Sequence, residues 1–154
     1  MTETDDHVAV TRLQSAYADV VTRRAWPEFH DLFLPDATVR IDPRNDEPLA
    51  FVGPDGISGF IDRAFASYPF FVFTILNAHT DLYPGGDHDL AHSRKYICEN
   101  RQEHNGRFTQ AFGLYQDEYR RVEGRWWIAR RFYTSLARTG DDLTTFPFPE
   151  PPFG

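Results

Sequence analysis

The stretch Arg107–Arg138, RFTQAFGLYQDEYRRVEGRWWIARRFYTSLAR, decides how the rest of the chain is read. Two aromatic and β-branched runs flank Val122-Glu123-Gly124, a combination suited to a tight reversal, so the stretch predicts a β-hairpin of two long strands. Alternate residues of the first arm form one set, Gln110, Phe112, Leu114, Gln116 and Glu118, interleaved with Thr109, Ala111, Gly113, Tyr115, Asp117 and Tyr119. A sheet with one wet face segregates its polar residues to that side. Both sets here are mixed, so one face is expected to cover a core and the other to line a cavity or a partner.

Upstream of the hairpin the alternation continues in two more predicted strands, Phe70–Tyr83 and Ala91–Gln102, separated by the turn Pro84-Gly85-Gly86-Asp87. The interior-facing set of the first is expected to be Phe71, Phe73, Ile75, Asn77, His79 and Asp81. Before them the period changes. Val8, Val10, Leu13, Ala16, Tyr17, Val20 and Val21 recur by threes and fours, predicting a one-sided helix over Thr4–Arg24 with Thr4-Asp5-Asp6 at its cap. A short second helix follows Trp26-Pro27, a strand runs from Asp36 to Pro43, a shorter one covers Leu49–Val52, and Gly53–Gly56 turns into a third helix with Ile57, Phe60, Ile61, Ala64 and Phe65 on one side. Helices first and long strands afterwards is an α+β order. The expected architecture is three N-terminal helices packed on a strongly curved, mostly antiparallel sheet that encloses a cone-shaped cavity.

The chain has 154 residues, enough for one domain with a real core. We expect the domain to occupy residues 1–138 and a Pro/Phe-rich tail, 139–154, to dock on the body or on a partner subunit, the run of prolines preventing it from continuing a sheet. Fourteen Phe and seven Tyr imply a ring-lined interior that suits a flat or apolar ligand. The net charge of −7 argues against nucleic-acid or anionic-membrane partners, which need a concentrated basic surface. Arg supplies all the basic residues except Lys95, which leaves a single candidate for Schiff-base chemistry and speaks against it. The lone Cys98 excludes an intrachain disulfide, and no membrane-spanning run or leader is evident, so a cytoplasmic protein is expected.

Tyr17-Ala18-Asp19, Trp26, Leu32-Phe33, Pro35-Asp36-Ala37-Thr38, His79, Tyr115-x-Asp117-x-Tyr119-x-Arg121 and Gly124-x-Trp126-x-Ile128 occur in an order that resembles the SnoaL-like branch of the nuclear transport factor 2-like superfamily. That branch is similar to scytalone dehydratase and ketosteroid isomerase, and the resemblance runs from about Val8 to Arg138. It implies the cone fold and a cofactor-independent acid–base enzyme, a dehydratase, isomerase or cyclase acting on an apolar, polyketide- or steroid-like substrate. Each of those reactions abstracts a proton beside a carbonyl and holds an enolate with hydrogen-bond donors. The resemblance also implies a homodimer or homotrimer. The fold equally serves small-ligand binders and accessory subunits of ring-hydroxylating dioxygenases, so a non-catalytic role is the alternative.

Residue by residue, His79 resembles a strand histidine of the dehydratase's acid–base pair, a group able to take and return a proton near neutrality. Asn100 stands where that enzyme has its second histidine, Val21 and Thr22 where it has a tyrosine and an aspartate, and Pro43 where it has another tyrosine. Against the isomerase, Tyr17 matches the oxyanion tyrosine, Asp42 lies near the carboxylate base, and Asp117 matches the proton-holding aspartate. Asp19 is expected to orient His79 from the first helix. His92 is expected to share the cavity face with Arg94, Tyr96, Cys98 and Asn100, while Trp26, Tyr96, Phe112 and Tyr115 supply walls. His79, His92 and Asp81 lack a close metal-ligand spacing, so neither metal nor cofactor is expected.

Overall fold

The computed structural model describes residues 1–153. Its hairpin joins β5 (Phe108–Val122) to β6 (Arg125–Arg138) through Glu123 and Gly124, which sit at φ +51° and +78°. Two consecutive positive φ values make the turn whose twist matches that of paired strands, and Gly124 adopts its share without steric cost. Before the hairpin come β1 (Phe33–Asp42), β2 (Leu49–Val52), β3 (Phe70–Leu82) and β4 (Leu90–Gln102). The sheet runs β2-β1-β6-β5-β4-β3; only β1 and β6 pair in parallel. This is the α+β cone expected, with its helices on one face.

Helix α1 (Glu3–Arg23) begins earlier than its periodicity suggests. Thr2, rather than Thr4, is the cap: its hydroxyl accepts from the Asp5 amide at 3.1 Å while the Asp5 carboxylate accepts from the Thr2 amide at 2.8 Å. That reciprocal arrangement satisfies two end donors at once. Val10, Leu13, Tyr17, Val20 and Val21 are buried against the sheet. A 3₁₀ turn covers Trp26–Asp31, and α2 (Gly53–Phe65) starts at Gly53 itself, with Pro54 in its first turn, so the predicted separate turn is absorbed into the helix.

Two further differences decide what faces the interior. In the β3–β4 ladder Ile75 pairs with Ile97 but Asn77 pairs with Tyr96, leaving Leu76 as an extra residue. One residue reverses every side chain beyond it. Phe71, Phe73 and Ile75 therefore face the helices as expected, whereas Asn77, His79 and Asp81 turn to the outer face. On β4 the inner set is Ala91, Ser93, Lys95, Ile97, Glu99 and Arg101, and His92, Arg94, Tyr96, Cys98 and Asn100 point outward, the reverse of the expected assignment. Similar irregularities between β5 and β6, near Ala129 and Leu136, bend the sheet around the helices.

Beyond β6, Thr144–Thr145 adds two residues to the sheet as β7 before the prolines intervene, contrary to the expectation from proline content. The Phe146 amide donates to the Leu136 carbonyl at 2.9 Å, extending that pairing, and the Phe153 ring stacks on His92 with centroids 4.5 Å apart, so Phe153 lies on the outer face.

Candidate active site

The inner face and the helices enclose a cavity of about 170 Å³. Its apolar wall comes from α1, α2 and β1, including Val21, Ile57, Ile61, Phe65 and Phe33. Its polar wall comes from the strands and α1: Tyr17, Tyr115, Tyr133, Glu99, Arg101, Arg131 and Arg138. The pairing of Tyr115 with Tyr133, and of Asp117 with Arg131, follows from the hairpin register, so the tight turn at Glu123-Gly124 fixes which groups meet across the strands. Gly113 leaves room for the Tyr133 ring: an added Cβ would lie 2.2 Å from that ring's Cε2.

Next to the cavity lies a buried ion cluster. Arg131 grips Asp117 with two bonds, Nε to Oδ1 at 2.7 Å and Nη2 to Oδ2 at 2.8 Å. Tyr119 donates to Asp117 Oδ2 at 2.9 Å, and the Lys95 ammonium nitrogen lies 3.4 Å from the same oxygen. Burial would raise the Asp117 carboxyl, but the charges of Arg131 and Lys95 and the bonds from Arg131 and Tyr119 outweigh it and hold the group below the usual range. Burial first, then the like charge of Arg131, pulls Lys95 down to about 7, with Asp117 opposing. Arg131 sits in the corner formed by the perpendicular rings of Tyr17 and Tyr115, at 4.0 and 4.2 Å from their centroids. Those two hydroxyls share a hydrogen bond at 3.3 Å, and burial raises both phenols, keeping them protonated as donors.

The other end of the polar wall carries Glu99. Among the described residues it is the one carboxylate lining the cavity, and burial raises its pKa above the ordinary carboxylate value, against the pull of Arg101 and Arg138. The Arg101 guanidinium approaches no closer than 3.7 Å and donates instead to the Tyr68 hydroxyl at 3.2 Å. The arrangement is a proton acceptor of raised basicity, four phenols (Tyr17, Tyr68, Tyr115 and Tyr133) and three guanidinium groups, that of Arg131 clamped by Asp117, around an apolar space, the components that general acid–base chemistry on a carbonyl compound requires.

The residues picked out from the sequence divide by face. Tyr17, Tyr115 and Asp117 come together inside, although Asp117 is held ionised by Arg131 and so is unlike a proton-holding acid. His79 is exposed on the outer face because of the Leu76 irregularity. Asp19 is exposed and pairs with Arg23 at 2.8 Å, so it is turned away from His79. Asp42 follows the inward-facing Ile41, points outward, and accepts from the Arg44 amide at 2.9 Å. His92, Tyr96, Asn100 and Phe112 also lie on the outer face, Asn100 accepting from Gln110 at 2.9 Å. Trp26 stands outside the cavity wall, donating to Asp62 at 2.9 Å. Among the described residues no histidine lines the cavity, and no group of three His, Cys, Asp or Glu is placed to hold a metal.

Sequence reasoning misses Glu99, Arg101, Arg131, Tyr133 and Arg138, and weighs Lys95 only as a Schiff-base former. A signal for part of this set exists in the sequence. If Tyr115 and Asp117 face inward, the Glu123-Gly124 turn places Arg131 and Tyr133 opposite them once a single irregularity is allowed. The β4 set offers no such anchor, because its loop to β5 is longer.

Residues 2–132 match the SnoaL-like domain family. No curated protein matches the sequence. Among solved structures, a Novosphingobium aromaticivorans protein provisionally described as an aromatic ring hydroxylase superposes with a TM-score of 0.75 at 25% identity, over 95% of this chain and 96% of its own. The hexachlorocyclohexane dehydrochlorinase LinA-type3 of Novosphingobium barchaimii LL02 gives 0.77 at 14% identity, each chain covered to 97%. A second N. aromaticivorans protein, provisionally described as a scytalone dehydratase, gives 0.74 at 19% identity over 100% of this chain and 98% of its own. The last two identities speak to the fold alone.

Proposed function

This chain belongs to the SnoaL-like domain family, and we propose that it is a cofactor-independent enzyme that moves a proton on a small, single-ring carbonyl compound bound in the cone cavity. The observation that carries this reading is Glu99, among the described residues the one carboxylate on the cavity wall, raised in basicity by burial and sharing that wall with Tyr17, Tyr115, Tyr133 and Arg131. Glu99 takes a proton from the carbon beside the substrate carbonyl. The electron pair moves onto the carbonyl oxygen, and the enolate accepts hydrogen bonds from the phenols and from Arg131. Return of the proton from Glu99 to a different carbon completes an isomerisation; its return to a β-hydroxyl, which leaves as water when the enolate collapses, completes a dehydration and restores the carboxylate. Size selects among the candidates, since a cavity of roughly 150 Å³ accommodates benzene. At about 170 Å³ the space suits one ring and not the four of a steroid.

Turnover of a panel of cyclic enones and β-hydroxyketones, with Glu99→Gln beside the parent, tests the proposal. General acid–base groups contribute about 10²–10⁴-fold, and a loss of that size with an unchanged near-ultraviolet CD spectrum is expected. Full activity in the variant removes Glu99 from the mechanism. Tight binding with no turnover in the parent replaces the enzyme with a ligand carrier.

A further inference from the structure

The cavity wall carries more positive charge than the chemistry just described uses. Arg131 is neutralised by its two-bond contact with Asp117. Arg101 and Arg138 are not balanced in this way. Glu99 stands 3.7 Å from Arg101, and among the described residues Arg138 has no ion-pair partner, its guanidinium donating only to the Ser135 hydroxyl at 3.0 Å. The Nε–H groups of both arginines are buried without an acceptor. Buried donors without acceptors are costly, and buried charge without a partner more so. The ladder brings the two together: Glu99 pairs with Ala111 on β5, Ala111 pairs with Arg138 on β6, and Arg101 is the next inward residue on β4.

We propose that Arg101 and Arg138 form a subsite for the carboxylate of a single-ring organic acid, which identifies the class of substrate or ligand the cavity takes. Two guanidinium groups against Glu99 leave one positive charge in excess, which a monoanion balances and a phosphate dianion overshoots. A planar carboxylate accepts from both arginines, including their free Nε–H donors, in the side-on geometry that guanidinium favours. The ring then occupies the apolar part of the cavity beside Phe65 and Ile61. In a chain of net charge −7, two arginines against one carboxylate on a cavity wall favour an anionic ligand there. The inference uses the same cavity as the proposed enzyme, and its test is independent of turnover.

The measurement is calorimetric binding of benzoate and of its neutral counterpart benzamide to the full chain. Benzoate is expected to bind at least about tenfold more tightly. Arg138→Gln and Arg101→Gln are each expected to abolish that preference, Arg138→Lys to restore part of it, and Glu99→Gln to retain or strengthen it. Benzamide binding as tightly as benzoate, benzoate failing to bind, or a preference unchanged in both Gln variants overturns the subsite. Should one Gln variant fail to fold, the other and Arg138→Lys decide. A clear benzoate preference in a protein that turns over nothing leaves the anion subsite standing while the enzyme reading falls. Turnover of neutral ketones without such a preference does the opposite.

Discussion

Replacing Lys95 by methionine keeps the volume of a linear side chain in a site with no solvent exposure and removes a charge that burial disfavours. Desolvation and the neighbouring Arg131 lower this lysine from an ordinary 10.5 to about 7, with Asp117 in partial opposition and the protonated Tyr17 and Tyr115 beside it. At about 1.4 kcal/mol per tenfold change, that fall corresponds to roughly 5 kcal/mol against the charged form in the folded protein. The sign follows from proton counting. Between about pH 7 and 10.5 the unfolded chain holds a proton on Lys95 that the folded chain has released, so the stability of the parent rises with pH by about 1.4 kcal/mol per unit. Below pH 7 both states hold the proton and the penalty is constant. The Lys95→Met variant lacks that dependence, while its Asp117 keeps the bonds from Arg131 and Tyr119. Urea unfolding of both proteins at several pH values from 6 to 9 reads the difference. The stability advantage of the variant should be greatest at pH 6 to 7 and shrink by about 2 kcal/mol between pH 7.5 and 9. Two curves that stay parallel across this range would show that Lys95 titrates as an ordinary surface lysine and refute the reasoning.

Four shorter predictions follow from other parts of the structure. If Glu99 is the base, kcat/KM rises with pH through a midpoint above the ordinary value of 4.5, because the raised carboxyl must be ionised to act; Arg138→Gln moves that midpoint higher, and an unmoved midpoint argues against Glu99. Gly113→Ala sets a methyl 2.2 Å from the Tyr133 ring, so the ring must swing away, at about 1–3 kcal/mol of stability and with weakened ligand binding; an unchanged melting temperature refutes the close approach. Asp6, 1% exposed, accepts from Arg121 at 2.8 Å and from Trp126 at 2.9 Å, tying the start of α1 to the hairpin, and Asp6→Asn should cost about 1.5–3 kcal/mol in urea unfolding. Burial opposes ionisation of Asp6, but its bonds from Tyr83 and Trp126 and the Arg121 charge prevail and lower its pKa; its stabilisation is therefore present above the ordinary carboxylate range and lost as pH falls through the lowered value, a step the Asn variant should lack.

The elements themselves are legible in the chain because their signals lie between near neighbours. The three- and four-residue spacing of α1, the reversal at Glu123-Gly124 and the alternation of β3 to β6 each occupy a short window, and together they set helix, turn and strand before any long-range contact forms. Tyr17 and Tyr115 are placed in the interior by the same means, one from the buried stripe of a helix and the other from a strand whose register a tight turn controls.

Which face each strand presents is a different matter. His79 and Glu99 sit in strands of equal length, and alternation alone treats either assignment as sound. What separates them is Leu76, the extra residue that appears only when β3 is paired with β4 and that turns His79, and Asp81 after it, outward. The residue pattern alone thus determined an α+β cone with a ring-lined interior, since periodicity, caps and turns are local properties. Only the tertiary structure decided that Glu99 and the arginines, rather than the histidines, face that interior, because an irregularity in a ladder is a property of two strands and is written in neither one.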